Sequence, residues 1–576
     1  MSDTATSREK QDVSIVLCGQ AGQGIQTVEF LLTRILKLAG CNVFATKEYM
    51  SRIRGGANST VIRVSRQKVS ALVQRIDVLV ALNRGAIRHV ADRLTPQTVV
   101  LAEKDVIAND LEQGRYRFLD VPFAKTAKQI GGDIYSNTVA AAVLAAIFGI
   151  QPQLVADYVK QFFSSKSEDV VQNNSKAAVA GHKLGSDLAD SGKIRFKISA
   201  DPTLKDQILL DGAQAVGLGA IAGGCNFISS YPMSPSTGVL AFLAKHAADF
   251  GIIAEQAEDE IAAINMAIGA WYAGARAMVT TSGGGFALMT EGLSLAGMLE
   301  SPLVVHLAQR PGPATGLPTR TEQADLELAL YAGHGEFPRA IFAPGTLEQA
   351  FHLTQAAFNL ADKYQTPIFI LTDQYLIDSY YNTPPFDLSK VNLERHVVET
   401  AADYRRYELT ADGVSPRGVP GFGSGLVVLD SDEHDEYGHI TEDLGIRVRM
   451  VDKRLRKLDL IKTEITPPEL VGPPDYKNLV LAWGSTCNIA KEALSELARK
   501  DTALLHYSQV FPLHPKTPDY LKRADKLVII EGNATGQFAK LIKLNTGIDI
   551  DRKLLKYNGL SFSVEEVAGG LNRFLS

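Results

Sequence analysis

FISSYPMSPS, Phe227 to Ser236, and IIAEQAEDEIAAINMAIGAWYA, Ile252 to Ala273, are the stretches around which the rest of the chain is organised. The first is an apolar run ending at Tyr231 and two prolines that frame Met233 and Ser234. Proline supplies no ladder donor and restricts the residue before it, so the pattern predicts a buried strand with an abrupt end. The second is a short apolar run, then the consecutive carboxylates Glu258, Asp259 and Glu260, then a long Ala/Ile helix. A carboxylate placed where a strand hands over to a buried helix builds a site at the C-terminal edge of a parallel sheet.

Working outward, AMVTTSGGGFALMTEGLSLAGMLE reads as strand, Gly-rich turn and helix, and SPLVVHLAQR as a strand ending in Gln309 and Arg310. A Pro/Gly/Thr loop, PGPATGLPTRTEQADL, follows. Tips carrying Ser234, Glu258, Ser282–Gly285 and Arg310 are therefore expected along one edge of one sheet. Gly217, Gly219 and Gly223 imitate a dinucleotide fingerprint, but no strand immediately precedes them, and close helix packing explains them better.

Upstream, residues 11–188 form a further α/β unit. VSIVLCG predicts a buried strand, and GQAGQGIQ places Gly19, Gly22 and Gly24 between it and an amphipathic helix. Bare N–H groups at a helix start hold phosphate. A nicotinamide dinucleotide site wants an acid about 20 residues on. Lys47 stands in that region, and Arg52 and Arg54 follow it, so a phosphate-rich anion suits the loop better. Residues 186–205 read as a linker, 200–385 as the middle domain, 380–420 as a cover or partner-contact arm, and 421–576 as a third α/β domain. In that last domain the acidic segment holding His434 and His439 lacks a fixed ligand register and reads as a solvated turn. Glu531–Gly532–Asn533 closes a strand into a polar turn facing another chain.

The 576 residues exceed one core, and a net charge of −5 without a basic run gives no reason to expect nucleic acid. No apolar run reaches the roughly 18 residues of a membrane span, and the polar start shows no secretory signal, so a cytoplasmic protein is expected. The four cysteines are scattered singly, which argues against zinc or an iron–sulfur cluster held by this chain alone, and no metal ligand is assigned.

YPMSPS, AEDEIAAINMAIGAWYAGARAMVTTSGGG and QRPGPATGLPTRTEQADL, in that order, resemble the α subunits of 2-oxoacid:ferredoxin oxidoreductases. GQAGQGIQ and KEYMSRIRGGANS resemble the γ domain fused at the N-terminus of the 2-oxoglutarate type. The resemblance implies three α/β domains: Rossmann-like γ, thiamine-enzyme pyrimidine-type, and transketolase C-terminal-like. It implies thiamine-dependent, reversible oxidative decarboxylation of 2-oxoglutarate with coenzyme A to succinyl-CoA and CO2, with electrons passing to ferredoxin. Pyruvate or another 2-oxoacid is the alternative substrate. A scaffolding subunit and an NAD-dependent dehydrogenase are the alternatives from other classes.

The resemblance assigns Glu258 to the aminopyrimidine ring, Tyr231, Pro232 and Ser234 to the turn that meets cofactor and substrate, and Arg310 to the substrate carboxylate. It assigns coenzyme A to the first domain, around Gly19, Gly22, Gly24, Lys47, Arg52 and Arg54. Helical periodicity does not separate Glu258 from Glu260; the resemblance alone selects Glu258. Arg320 is a rival to Arg310, and Glu322 and Asp325 are rival partners for it. The sequence has no GDG followed by an Asn pair, the thiamine-enzyme pattern that binds diphosphate through Mg2+. A β subunit is therefore expected to complete the thiamine diphosphate–Mg2+ site and carry [4Fe-4S], in an (αβ)2 assembly.

Overall fold

The alternation of apolar runs with Ala-rich helices resolves, in a computed structural model describing residues 10–21, 23–50, 55–107 and 114–576, into three sheets. They are distributed over two units: residues up to Leu210 with Ser379–Pro385, and Asp211–Asp378 with Phe386–Ser576.

The first unit holds an eight-stranded sheet. Asp12–Ala21, Val78–Ala81, Val99–Ala102 and Arg117–Asp120 run parallel to one another, as the α/β pattern predicts. On the other side of Asp12–Ala21 the pairing is antiparallel, to Gly55–Ser65 and then Asn42–Glu48. The Rossmann-like expectation thus holds for half the sheet. Those two strands form a hairpin, which needs only a short connection and no crossover helix. Tyr380–Thr383 adds to this sheet beside Asn42–Glu48, so the segment after residue 379 is partly a strand.

The second unit holds two sheets. The larger has the order Gln509–Phe511, Ala340–Phe342, Pro367–Asp373, Leu303–Gln309, Ala277–Thr281, Phe227–Ser230, Ile253–Gln256. All its pairings are parallel except that of Gln509–Phe511. That strand comes from the third sequence domain, so the boundary drawn near residue 421 does not separate the sheets. The five-stranded sheet is Glu469–Val471, Thr502–Tyr507, Asn478–Trp483, Lys526–Glu531, Arg552–Leu555, parallel but for its first member. Its central strands are buried on both faces, which is why they read as continuous apolar runs.

The irregular stretch after residue 386 is a wall of this unit and not a cover. Arg406, Tyr407, Ser415 and Arg417 are all buried. Arg406 donates to the Gln365 side chain and the Glu300 carbonyl, each at 2.8 Å, and Arg417 pairs with Asp362. His434 is also buried and packs against Tyr407 with ring centroids 3.8 Å apart and planes tilted by 32°, while His439 is exposed. Glu433 is held by Arg447 and Arg454, so the acidic segment is an ion-paired corner where a solvated turn was expected. No helix among the described residues is long and apolar enough to cross a membrane.

Candidate active site

Four neighbouring strands of the larger sheet, ending at Gln309, Thr281, Ser230 and Gln256, deliver their following turns to one edge. The helix Glu260–Tyr272 begins after the last of these. Asp259 is its N-cap and accepts from the Ala262 N–H at 2.7 Å. The cap fixes the helical phase: Glu260, Ala263, Ile264, Ala267, Ile268 and Trp271 form the buried stripe. Glu260 is only 3 % exposed, and its Oε1 has no hydrogen-bond partner. Glu258 precedes the cap on an exposed turn, outside that stripe. Of the two carboxylates that periodicity left equivalent, the fold buries Glu260 and leaves Glu258, the one the resemblance selects, exposed.

Arg310 is buried and donates from Nη1 to the Ser234 carbonyl at 2.8 Å; its Nε has no partner. Burial lowers its pKa, while Asp325 and Glu260 raise it. These are the charges that face it, so Arg310 and Ser234 are brought together as expected, with Glu260 in place of Glu258. Tyr231 is exposed and Pro232 half-buried in the same turn as Ser234.

The Gly-rich turn after Thr281 lets these side chains approach. A Cβ on Gly285 would lie 2.2 Å from Thr281 Oγ1 and 2.6 Å from Glu260 Oε1, and one on Gly283 would lie 2.4 Å from both Asp325 carboxylate oxygens. Asp325 was weighed in the sequence only as a structural partner. Its backbone N–H donates to Gln309 Oε1 at 3.0 Å, and burial with the nearby Glu322 pushes its pKa up to about 7 against the pull of Arg310. Glu260 Oε1, Ser282 Oγ, Arg310 Nε and Asp325 Oδ2 are thus buried without partners in one place. Buried polar atoms are rarely left so, and their concentration marks a ligand position.

The loop carrying Asp325 is pinned from behind. Gln323 donates to the Trp483 carbonyl at 3.0 Å and accepts from the Gly532 N–H at 2.9 Å, while Asn533 donates to the Gln323 carbonyl at 3.1 Å. Glu531 and Asn533 are therefore buried, and the turn they form packs onto Gln323. Elsewhere, Glu469, Cys487 and His506 group their ligand atoms within 4.8 Å, but Lys491 Nζ already sits on the Glu469 oxygens at 3.0 and 2.9 Å.

In the first unit, Gly24 caps the helix Ile25–Leu38 with a left-handed φ of 75°, a conformation open to glycine. A cavity of about 660 Å3 lined by Gly24, Thr27, Lys128 and Asn137 lies on one side of it, and one of about 370 Å3 lined by Gly24, Lys47, Tyr49 and Asn58 on the other. Lys47 reaches the second cavity with its Nζ 3.5 Å from Glu29 Oε1. Gly19 is buried inside the strand Asp12–Ala21 and not between that strand and the helix as expected, while Gly22, Arg52 and Arg54 lie outside the described residues. The larger cavity was not foreseen, because Lys128 and Asn137 stand far from the Gly-rich loop in sequence.

Residues 218–453 match the family described as pyruvate flavodoxin/ferredoxin oxidoreductase, thiamine diphosphate-binding, and residues 14–184 the family described as pyruvate ferredoxin/flavodoxin oxidoreductase. A 2-oxoacid:ferredoxin oxidoreductase subunit alpha of Sulfolobus sp is 31% identical, over 97% of this chain and 96% of the relative. A 2-oxoglutarate oxidoreductase subunit KorA of Mycobacterium tuberculosis is 28% identical, over 97% and 90%. Among solved structures, the 2-oxoglutarate:ferredoxin oxidoreductase from Magnetococcus marinus, with 2-oxoglutarate, coenzyme A and succinyl-CoA bound, superposes with a TM-score of 0.91 at 30% identity, covering 99% of this chain and 100% of that one.

Proposed function

This chain belongs to the family of 2-oxoacid:ferredoxin oxidoreductase α subunits, and from that premise we propose that it serves a 2-oxoglutarate:ferredoxin oxidoreductase. The reaction is 2-oxoglutarate, coenzyme A and two oxidised ferredoxins giving succinyl-CoA, CO2, a proton and two reduced ferredoxins. The 2-oxoglutarate named for the Mycobacterium and Magnetococcus relatives supports this choice of 2-oxoacid.

The orphaned Oε1 of Glu260 carries the site assignment. A buried carboxyl with nothing to bond suits a ring nitrogen that exchanges a proton with it. Glu260 would meet the aminopyrimidine of thiamine diphosphate, with Tyr231, Pro232 and Ser234 along the neighbouring turn. When bound, that cofactor supplies the electron sink that lets the bond between keto carbon and carboxylate break. Arg310 binds the substrate carboxylate through the donors that Ser234 leaves free. The Ser234 hydroxyl donates to the keto oxygen or to that carboxylate.

A β subunit supplies the Mg2+-bound diphosphate half of the site and the [4Fe-4S] cluster that passes electrons to ferredoxin, in an (αβ)2 assembly. The scattered cysteines and the missing GDG pattern in this chain support that division. Coenzyme A is received in the first unit by Gly19, Gly22, Gly24, Lys47, Arg52 and Arg54. The test is to purify the chain alone and with its β partner, and to measure reduction of ferredoxin with 2-oxoglutarate, pyruvate and a branched 2-oxoacid side by side. Turnover appears only in the complex and is fastest with 2-oxoglutarate. Turnover by the isolated chain would overturn the split site, and a preference for pyruvate the substrate.

A further inference from the structure

Asp325 stands at the N-cap position of the short helix Leu326–Tyr331, yet its side chain makes no cap bond there. The carboxyl turns instead onto Gly283 and toward Arg310, and its Oδ2 is buried with no partner. A residue that forgoes its local hydrogen bond in this way is held by the pocket. The charges there are four residues on three elements: Arg310 after its strand, Glu260 at the start of its helix, and Glu322 and Asp325 on the loop. The other carboxylates nearby are engaged elsewhere. Asp373 accepts from Ser485, and Glu327 pairs with Lys540 at 3.0 Å.

One guanidinium thus faces two buried carboxyls before any substrate arrives. An anionic 2-oxoacid adds another negative charge to a site of low dielectric, where like charges within a few ångströms do not all stay ionised. Resting on the function proposed above, we infer that Asp325 is a positioning residue that takes up a proton when the substrate carboxylate engages Arg310, removing the negative charge it would otherwise set against that carboxylate. Burial and Glu322 already raise its pKa to about 7, within reach of a proton near neutral pH. The proton comes from solvent and returns when the carboxylate leaves as CO2.

The experiment uses the αβ complex freed of thiamine diphosphate, so that 2-oxoglutarate binds without turning over. Calorimetric titration at pH 7.5 in two buffers of different ionisation enthalpy gives the number of protons taken up. The expected result is an uptake of up to about 0.75 proton per site, absent in Asp325→Asn. In the complete complex, KM for 2-oxoglutarate rises by up to about tenfold per pH unit above neutrality, with kcat changing much less, and Asp325→Asn flattens that rise. No uptake by the wild-type complex overturns the inference whether or not the variant folds, as does equal uptake by Asp325→Asn. Those results leave the proposed function intact, which is tested separately by the comparison of 2-oxoglutarate with pyruvate and a branched 2-oxoacid in the wild-type complex.

Discussion

Arg310 donates from Nη1 to the Ser234 carbonyl at 2.8 Å, tying the end of one strand to the turn after its second neighbour in the sheet. The bond orients the guanidinium and uses one of its five donors. Lysine at this position keeps the charge but has no planar fork to serve Ser234 and a carboxylate together. With a charged hydrogen bond contributing about 1.5–3 kcal/mol, Arg310→Lys raises KM for 2-oxoglutarate by about 10- to 100-fold. Steady-state dye reduction by the αβ complex reads this directly. A KM within twofold of wild type would remove Arg310 from the substrate contact.

Glu260 and Glu258 are separated by a single residue, the N-cap Asp259, yet the first is buried at the start of the helix and the second is exposed on the turn before it. Glu260→Gln keeps the volume and removes the titrating carboxyl, and turnover falls by about 10²- to 10⁴-fold, the range for loss of a positioned acid or base. Glu258→Gln, on the exposed turn, leaves turnover within about twofold. Thermal unfolding of both variants separates chemistry from folding. The reverse ranking of the two would restore the assignment to Glu258.

The strand ends that build this edge were legible because parallel strands buried on both faces are continuous apolar runs, and FISS, AMVTT and LVVHLAQ are such runs. The choice of glutamate was not legible from periodicity, since Ile261 is as apolar as the buried Ile264 and Ile268 yet is 47% exposed. The decisive signal was the cap: Asp259 fixes where the helix begins, and the phase of every later residue follows. Asp325 was hidden for a different reason. Its neighbours Gly283 and Arg310 lie on other strand ends, and only the register of Ala277–Thr281 beside Leu303–Gln309 brings them together. The hairpin of the first unit escaped because alternating strands and helices suggest parallel pairing, and nothing in NVFATKE marks the reversal.

Lys47 tests the coenzyme A assignment. It lines a cavity beside Gly24, with its Nζ 3.5 Å from Glu29 Oε1. Lys47→Met removes one partly exposed contact to an anion, worth up to about 1 kcal/mol. KM for coenzyme A should rise about three- to fivefold with KM for 2-oxoglutarate unchanged. Equal effects on both would point to a folding defect, and no effect on either would take Lys47 out of the coenzyme site.

Glu300 sets the acid limit of the second unit. It is fully buried between Lys453, at 2.8 Å, and Lys457, both on the helix Leu444–Ile461. Burial alone would raise its pKa, but the two ammonium groups and Arg406 outweigh burial and hold it well below the ordinary glutamate value of 4.5. A carboxyl depressed in the folded state binds its proton more readily when unfolded. Its stabilisation is therefore present above pH 4.5 and is lost as pH falls below that toward the folded value. Glu300→Ala strands two buried ammonium groups and costs about 3–5 kcal/mol at neutral pH, read by denaturant unfolding, and it flattens the acid limb of the stability profile. Replacing Glu300, Lys453 and Lys457 together by methionine removes the unpaired charges and should recover most of that loss. If the triple variant is no more stable than Glu300→Ala, the loss lies in packing around Glu300 and not in its charge.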